Sequence, residues 1–438
     1  MNTSYKRFFK YASLNIAGML GISCYILADT FFIANGIGAD GLAALNLAIP
    51  IYSFIHGCAL MLGTGGSAKF VIAKCQGEQH RANTVFTIGM KAGFVLALIF
   101  LGCGLFLSRE LTHLLKADAA LYDMTHTYLR VILIFSPFFI TNEQLLAYVR
   151  GDGNPSLAMT AMIAGSLANI LLDYIFIFPM QMGIFGAVLA TGIAPMVSML
   201  ILSRHVLSKH CEFHFVRCGT DRTIIKDLLI LGFPSLVIEV SAGIVMIVFN
   251  LLIMKQSGNI GVAAYGIIAN IALVTTAVFT GLAQGVQPLV SEAHSANDYN
   301  LMRDYIRYSL RSGALISIIL YAMLSINSAP IVTLFNSETD TLLQALGESG
   351  IQLYFTALPF TAFNIILCAI FTAAEKAFPA HIVSLLRGLL IVLPAAFVLS
   401  QLFGINGIWI TITATELLTA AIGILLWRKY PVIKISSL

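Results

Sequence analysis

The chain of 438 residues is 58% hydrophobic and only 11% charged, with a formal net charge of +4. Soluble domains carry roughly 25% charged residues, so this composition excludes a water-soluble fold of such length, whereas lipid solvates apolar side chains without help from charge. The small positive balance is scattered through the connections and forms no dense block, which excludes nucleic acid as a partner.

From the N-terminus, Lys6-Arg7-Phe8-Phe9-Lys10 leads into an apolar run too long for a signal h-region. No small-residue cleavage site follows, so the run reads as a retained first helix. Runs able to cross a ~30 Å hydrocarbon core then fall at roughly 10–34, 42–68, 83–107, 123–148, 157–178, 184–205, 224–253, 261–290, 306–333, 346–373, 379–400 and 405–427. Pro50, Pro137, Pro195, Pro234, Pro359 and Pro394 lie inside these spans, as transmembrane helices tolerate. The expectation is an all-α integral membrane protein of twelve transmembrane helices.

Lys and Arg alternate with the connections. One set holds Lys6, Arg7, Lys10, Lys69, Lys74, Arg81, Arg150, Arg204, Lys209, Arg217, Arg222, Lys226, Arg428 and Lys434, among others. The alternate set holds Arg109, Lys116, Lys255 and Arg130. The positive-inside rule then puts both termini in the cytoplasm of a cell whose inner (plasma) membrane the chain crosses.

The halves echo one another. Gly41-Leu-Ala-Ala and Gly261-Val-Ala-Ala begin the second and eighth spans, 220 residues apart. Leu62-Gly-Thr-Gly65 aligns with Leu282-Ala-Gln-Gly285, Gly183-Ile-Phe-Gly186 with Gly404-Ile-Asn-Gly407, and Pro155 with Pro379. Six spans per half give both halves one orientation, a parallel repeat. The expected division is a lobe over 1–206, a cytoplasmic linker over 207–223 and a lobe over 224–438. Two such lobes around a central site that opens to each side in turn make a transporter.

Acids inside spans are costly and mark function. The candidates are Asp29, Glu143, Asp173, Glu239 and Glu416. Asp29 precedes one outer turn by nine residues and Asp173 another, which sets both ~13 Å inward at 1.5 Å per residue. Thr191 lies at the same depth beyond its turn, and Asn169 shares a helix face with Asp173. Two carboxylates, an amide and a hydroxyl in one layer suit a hard monovalent cation such as Na⁺, the only metal expected. Neighbouring carboxylates also titrate as one unit and can exchange a proton. The second half lacks these acids: Asp29 falls on Phe249, and Asp173 on Phe397 or Pro394. Glu239 and Glu416, nearer the midplane, are placed to meet a cationic substrate or to pair helices. Glu143 is expected to snorkel or pair with Arg150.

Other signals fall away. Gly36-Ile-Gly38-Ala-Asp-Gly41 spells a dinucleotide fingerprint but follows no strand. His210, Cys211, His214 and Cys218 in the linker lack zinc spacing. The seven cysteines show no disulfide framework. No catalytic constellation occupies the spans, so an enzyme is not expected.

Several motifs in this order carry a resemblance. They are Ala28-Asp29-Thr30-Phe31-Phe32-Ile33, Gly65-Gly66-Ser67-Ala68, Arg150-Gly151-Asp152-Gly153-Asn154-Pro155, Asn169-Ile-Leu-Leu-Asp173 and Gly281-Leu-Ala-Gln284-Gly285-Val-Gln287-Pro288. Over essentially its whole length the chain resembles the multidrug and toxic compound extrusion (MATE) transporters, most closely the prokaryotic branch with a cation site in its N-terminal lobe. The resemblance implies efflux of small organic cations and drugs against H⁺ or Na⁺, by a monomer with no cofactor beyond the coupling ion. It implies a cation site of Asp29, Asn169, Asp173 and Thr191, with Tyr25 one turn before Asp29. Glu239 matches a seventh-span acid of some relatives, while the tenth span departs from them in lacking an interior acid. A related branch flips lipid-linked oligosaccharides. That alternative needs basic residues in the cavity, and only Arg130 and Arg387 lie near span interiors.

Overall fold

A computed structural model describes residues 3–115, 121–336 and 340–433. Lys116 and Lys434 lie outside the described residues. Ten helices are long and apolar enough to cross a membrane. They are α1 (Thr3–Gly36), α2 (Ala39–Cys75), α3 with α4 (Gln79–Gly102 and Ser108–Leu114, joined by a π-turn over Cys103–Leu107), α5 (Tyr122–Gly151), α6 (Pro155–Ile177), α7 (Gly183–Val206), α8 (Arg222–Ser295), α9 (Tyr299–Ile326), α11 with α12 (Thr341–Tyr354 and Leu358–Ala373) and α13 with α14 (Ala377–Leu385 and Val392–Lys429). The short α10 spans Ser328–Phe335. Two of the ten are each two spans: α8 breaks at Gly258 (φ 61°, ψ −154°) and α14 at Gly404 (φ 60°, ψ −141°). That backbone region is open essentially to glycine alone. The twelve expected spans are therefore present, most of them running several residues past the apolar core. The glycine-rich Gly36–Gly41 stretch is the α1–α2 turn and adjoins no strand.

The repeat is written in the backbone as well. Positive φ occurs at Gly38, Gly77, Gly153 and Gly183, and again at Gly258, Asn297, Glu375 and Gly404. Each later position follows its earlier counterpart by about 220 residues. The turns recur even where the sequence has exchanged glycine for Asn297 or Glu375, so conformation outlasts residue identity at these corners.

Contacts divide the chain into two compact units. The first is Ser13–Val240 with His294–Asn297; the second is Met1–Ala12, Ser241–Ala293 and Asp298–Leu438. In the first unit α2 packs on α3 and α5, and α7 packs on α5 and α6. In the second, α12 packs on α9, α13 and α14, and α11 on α14. Gly65 of α2 and Gly232 of α8 bring these helices to backbone contact, because a Cβ on either would run into the partner's main chain at Leu228 or Met61. Small residues permit the close packing that membrane helices need in place of a hydrophobic driving force. Large apolar side chains such as Phe94, Phe106, Leu200, Leu315 and Leu402 point outward, as a lipid-facing surface requires.

The connection between α7 and α8 is ordered across one end of the first unit. Phe213 is buried among the rings of Phe70, Phe86, Tyr148 and His205. Asp152, which follows α5, anchors it. Its Oδ1 accepts from Lys74 Nζ at 2.7 Å, and its Oδ2 pairs with His205 Nε2 at 2.7 Å and accepts from Glu212 N at 2.9 Å. Burial pushes the Asp152 carboxyl up, but the hydrogen bonds from His205, Glu212 N and Lys74 together outweigh it, so its pKa ends below the ordinary carboxylate value. Of the four His and Cys residues read in this linker, Cys211 alone comes near Asp152 and His205. Burial pushes its thiol up, and Lys74 already balances Asp152, so the trio is satisfied as a structural knot.

Candidate ion-coupling site

The site begins with how α1 meets α6. Gly18 and Gly21 of α1 lie against Met162 and Ile163 of α6, and Gly36 lies against Ile177. Tyr25 and Asp29 occupy the same face of α1, so this packing carries Asp29 to Asp173. The start of α6 is fixed by Pro155 in its first turn and by the Asn154 side chain, which accepts from Leu157 N at 3.1 Å. Gly165 then lets α6 approach α7 at Ala194 O, which brings Thr191 alongside Asn169.

The four residues of the expected layer do come together. Asn169 and Asp173 are fully buried, and Asp29 and Thr191 are buried at 8% and 7% exposure. With the amide of Asn169 in its satisfied orientation, its nitrogen donates to Asp173 Oδ2 at 3.0 Å and its oxygen accepts from Thr191 N at 3.2 Å. The Thr191 hydroxyl donates to Ala187 O at 3.2 Å. Asp29 and Asp173 lie within hydrogen-bonding reach of each other, and Oδ1 of each has no donor among the described residues. Carboxylates are acceptors only; two can be joined only when one holds a proton. Neither acid has a Lys or Arg partner among the described residues. The set is thus acceptor-rich and short of positive charge, which fits a proton or a small hard cation bound by the two Oδ1 atoms and the Thr191 hydroxyl.

Tyrosines line the same place. Tyr25 is half-buried beside Tyr52 of α2, and Tyr52 stacks on His56. Tyr128 of α5 is buried beside the Thr191 side chain, near enough to Asp29 and Asp173 to feel their charge. Tyr52 and Tyr128 escape a search restricted to acids. Tyr128 stands at a similar depth, about seven residues past its outer loop, and that was the signal available in the sequence.

The remaining acids separate. Glu239 is half-buried in the first unit, packed over Gly57 of α2 and close enough to Tyr52 for its charge to act there. Glu416 belongs to the second unit and is only 4% exposed. Its Oε1 accepts from Arg387 Nη2 at 2.6 Å and Nε at 3.2 Å, and its Oε2 accepts from Asn364 Nδ2 at 2.6 Å. It therefore pairs helices rather than standing open to a cationic substrate. Glu143 acts electrostatically on Arg150, whose guanidinium donates to Asn15 Oδ1 at 3.0 Å.

The MatE family profile matches twice, over residues 16–175 and 234–398, one match in each half of the repeat. The chain belongs to the MatE family. It is accordingly a transporter and not an enzyme. The "Multidrug export protein MepA" of Staphylococcus saprophyticus is 25% identical over 416 residues, covering 92% of this chain and 88% of that protein. Its namesake from Staphylococcus aureus strain MSSA476 is 24% identical over 421 residues, covering 95% and 92%. Among solved structures, a MATE protein in complex with MaL6 superposes with a TM-score of 0.92 at 23% identity, covering 98% of this chain and 96% of the other. A MOP superfamily transporter from Pyrococcus furiosus gives 0.90 at 23% identity with the same coverage. These likenesses establish the twelve-helix fold.

Proposed function

We propose that this MatE transporter exports cationic amphiphilic drugs in exchange for H⁺ or Na⁺. The observation that carries the reading is the Asp29–Asp173 pair, two buried carboxyls that have, among the described residues, a free oxygen each and no counter-cation. Two bare charges in that place are too costly to persist, so the pair holds a proton or Na⁺ through part of the cycle. Asn169, Thr191, Tyr25 and Tyr128 orient the pair. Filling the site removes charge from the α1–α6–α7 packing and biases two six-helix lobes, over 1–206 and 224–438, between inward and outward access. The protein works as a monomer in the plasma (inner) membrane, with both termini and the 207–223 linker cytoplasmic. Glu239, which has no Lys or Arg ion partner among the described residues, is the carboxylate offered to the positive group of a drug. The names of the multidrug-export relatives favour that substrate class.

The test is transport of a fluorescent organic cation into proteoliposomes under separately imposed pH and Na⁺ gradients. Uptake driven by one gradient, and collapsed by its dissipation, is expected; uptake indifferent to both removes the reading. Flipping of a lipid-linked oligosaccharide is disfavoured because Arg387 is already neutralised by Glu416 and Arg130 is exposed.

A further inference from the structure

The second unit holds a charged cluster that the coupling site does not use. Arg387 sits in the π-helical turn Leu386–Leu390, where α13 gives way to α14. Such turns widen a helix by one residue and often occur at functional sites. Its side chain is 9% exposed and that of Glu416 6%. Glu416 has both carboxylate oxygens occupied, one by Arg387 and one by Asn364, whose amide nitrogen also donates to Glu416 O at 2.8 Å. Two atoms of the cluster itself, Arg387 Nη1 and Asn364 Oδ1, are buried with no partner among the described residues, and so are the hydroxyls of Thr415 and Thr419 on the helix that carries Glu416. Thr415 adjoins Glu416, and Thr419 lies one turn further along the same helix. Tyr354 and Cys368 are the other ionisable groups close enough to feel the pair.

A buried ion pair adds little net stability over apolar side chains of equal size, so packing alone is a weak reason for this one. Its makeup parallels the first unit. There, a carboxylate pair is held by an amide and a hydroxyl on α6 and α7. Here, a carboxylate is held by an amide, and the helices that supply Arg387 and Glu416 are the repeat partners of α6 and α7. One component differs. The carboxylate pair of the first unit has no Lys or Arg partner among the described residues, while the carboxylate of the second is held by a guanidinium.

We infer that Arg387 is a resident counter-cation. It takes at Glu416 the place that a diffusible cation takes at Asp29–Asp173, so the second unit is charge-balanced by its own sequence and coupling is confined to one site. The inference rests on the coupling role proposed for Asp29 and Asp173. Its corollary is a latent site: without the guanidinium, the Glu416 carboxylate, with Asn364 turning its amide oxygen to it, offers oxygens for one monovalent cation, Na⁺ or H⁺.

The experiment uses the purified full-length protein in the Asp29→Asn background, which silences the first site. Melting temperature is followed against NaCl at constant ionic strength, and against pH from 6 to 9. Adding Arg387→Met is expected to create a rise in melting temperature with Na⁺ or with protons that the parent lacks. Arg387→Lys, which keeps the charge, should not create it, and adding Glu416→Gln to Arg387→Met should abolish it. A folded Arg387→Met variant with no new dependence on either cation overturns the inference. So does a parent whose cation response vanishes on Glu416→Gln, because Glu416 would then bind a diffusible cation with Arg387 in place. Should Arg387→Met not fold, the wild-type reversal potential decides: one cation per exported drug cation agrees, and two overturns it. Failure of the Asp29–Asp173 reading shows separately, as gradient-driven export undiminished by Asp29→Asn alone.

Discussion

Asn169 joins Asp173 to Thr191, donating to the carboxylate at 3.0 Å and accepting from the backbone of α7 at 3.2 Å. One oxygen of Asp173 is thereby fixed, and the other is left beside Asp29 with no donor among the described residues. If that free edge binds the coupling cation, Asp29→Asn and Asp173→Asn each reduce drug efflux to the level of cells without the transporter. Membrane expression should be unchanged, since an amide satisfies the same space. Wild-type efflux from both variants in a dye-export assay would sink the assignment.

Thr191 offers a buried hydroxyl beside Asn169 in the acid layer. Thr191→Val removes one neutral ligand, worth about 1 kcal/mol, and should raise the cation concentration for half-maximal transport about fivefold with little change in maximal rate. Thr191→Ser should restore the wild-type value. A cation-dependence curve measured for both variants separates a lost ligand from a packing defect.

The α2–α8 contact makes a stability prediction independent of transport. Gly65→Ala or Gly232→Ala places a methyl against the facing main chain, an overpacking that costs about 1–3 kcal/mol. The melting temperature in detergent should fall. Gly102→Ala, with nothing within 4 Å of the added methyl, should leave it unchanged or higher.

Asp152 gives the pH dependence of the linker knot. Its folded pKa is below its unfolded value of about 3.9, so the stabilisation is complete above that value and is lost as pH falls through the folded one. The melting temperature should hold steady from pH 8 to 5 and drop only below about pH 4. Asp152→Asn should lower stability by about 3 kcal/mol by breaking a buried charge pair, and should flatten that acid limb in a pH-resolved melting series.

Much of this was readable in order along the chain. Apolar runs fix where helices cross, because lipid leaves the backbone no other way to satisfy its hydrogen bonds. Gly41 and Gly261 announced the repeat, and nine-residue intervals put Asp29, Asp173 and Thr191 in one layer. Counting along helices measures depth but not azimuth, so it could not tell that Glu416 turns to Arg387 while Asp173 turns to Asp29. The same count sets Tyr128 near that layer, but a phenol costs little in lipid and leaves no hydropathy mark to single it out.

Composition and periodicity by themselves therefore determined the twelve helices and the depth of the acid layer, since each is a property of one helix in a bilayer; motif spacing determined the repeat, since its motifs recur at a fixed offset along the chain. Only the tertiary structure decided the partners. Glycines such as Gly18, Gly21 and Gly165 set which helices touch and along which face, and contact decides whether a buried acid is neutralised by its own chain or left to a cation from outside.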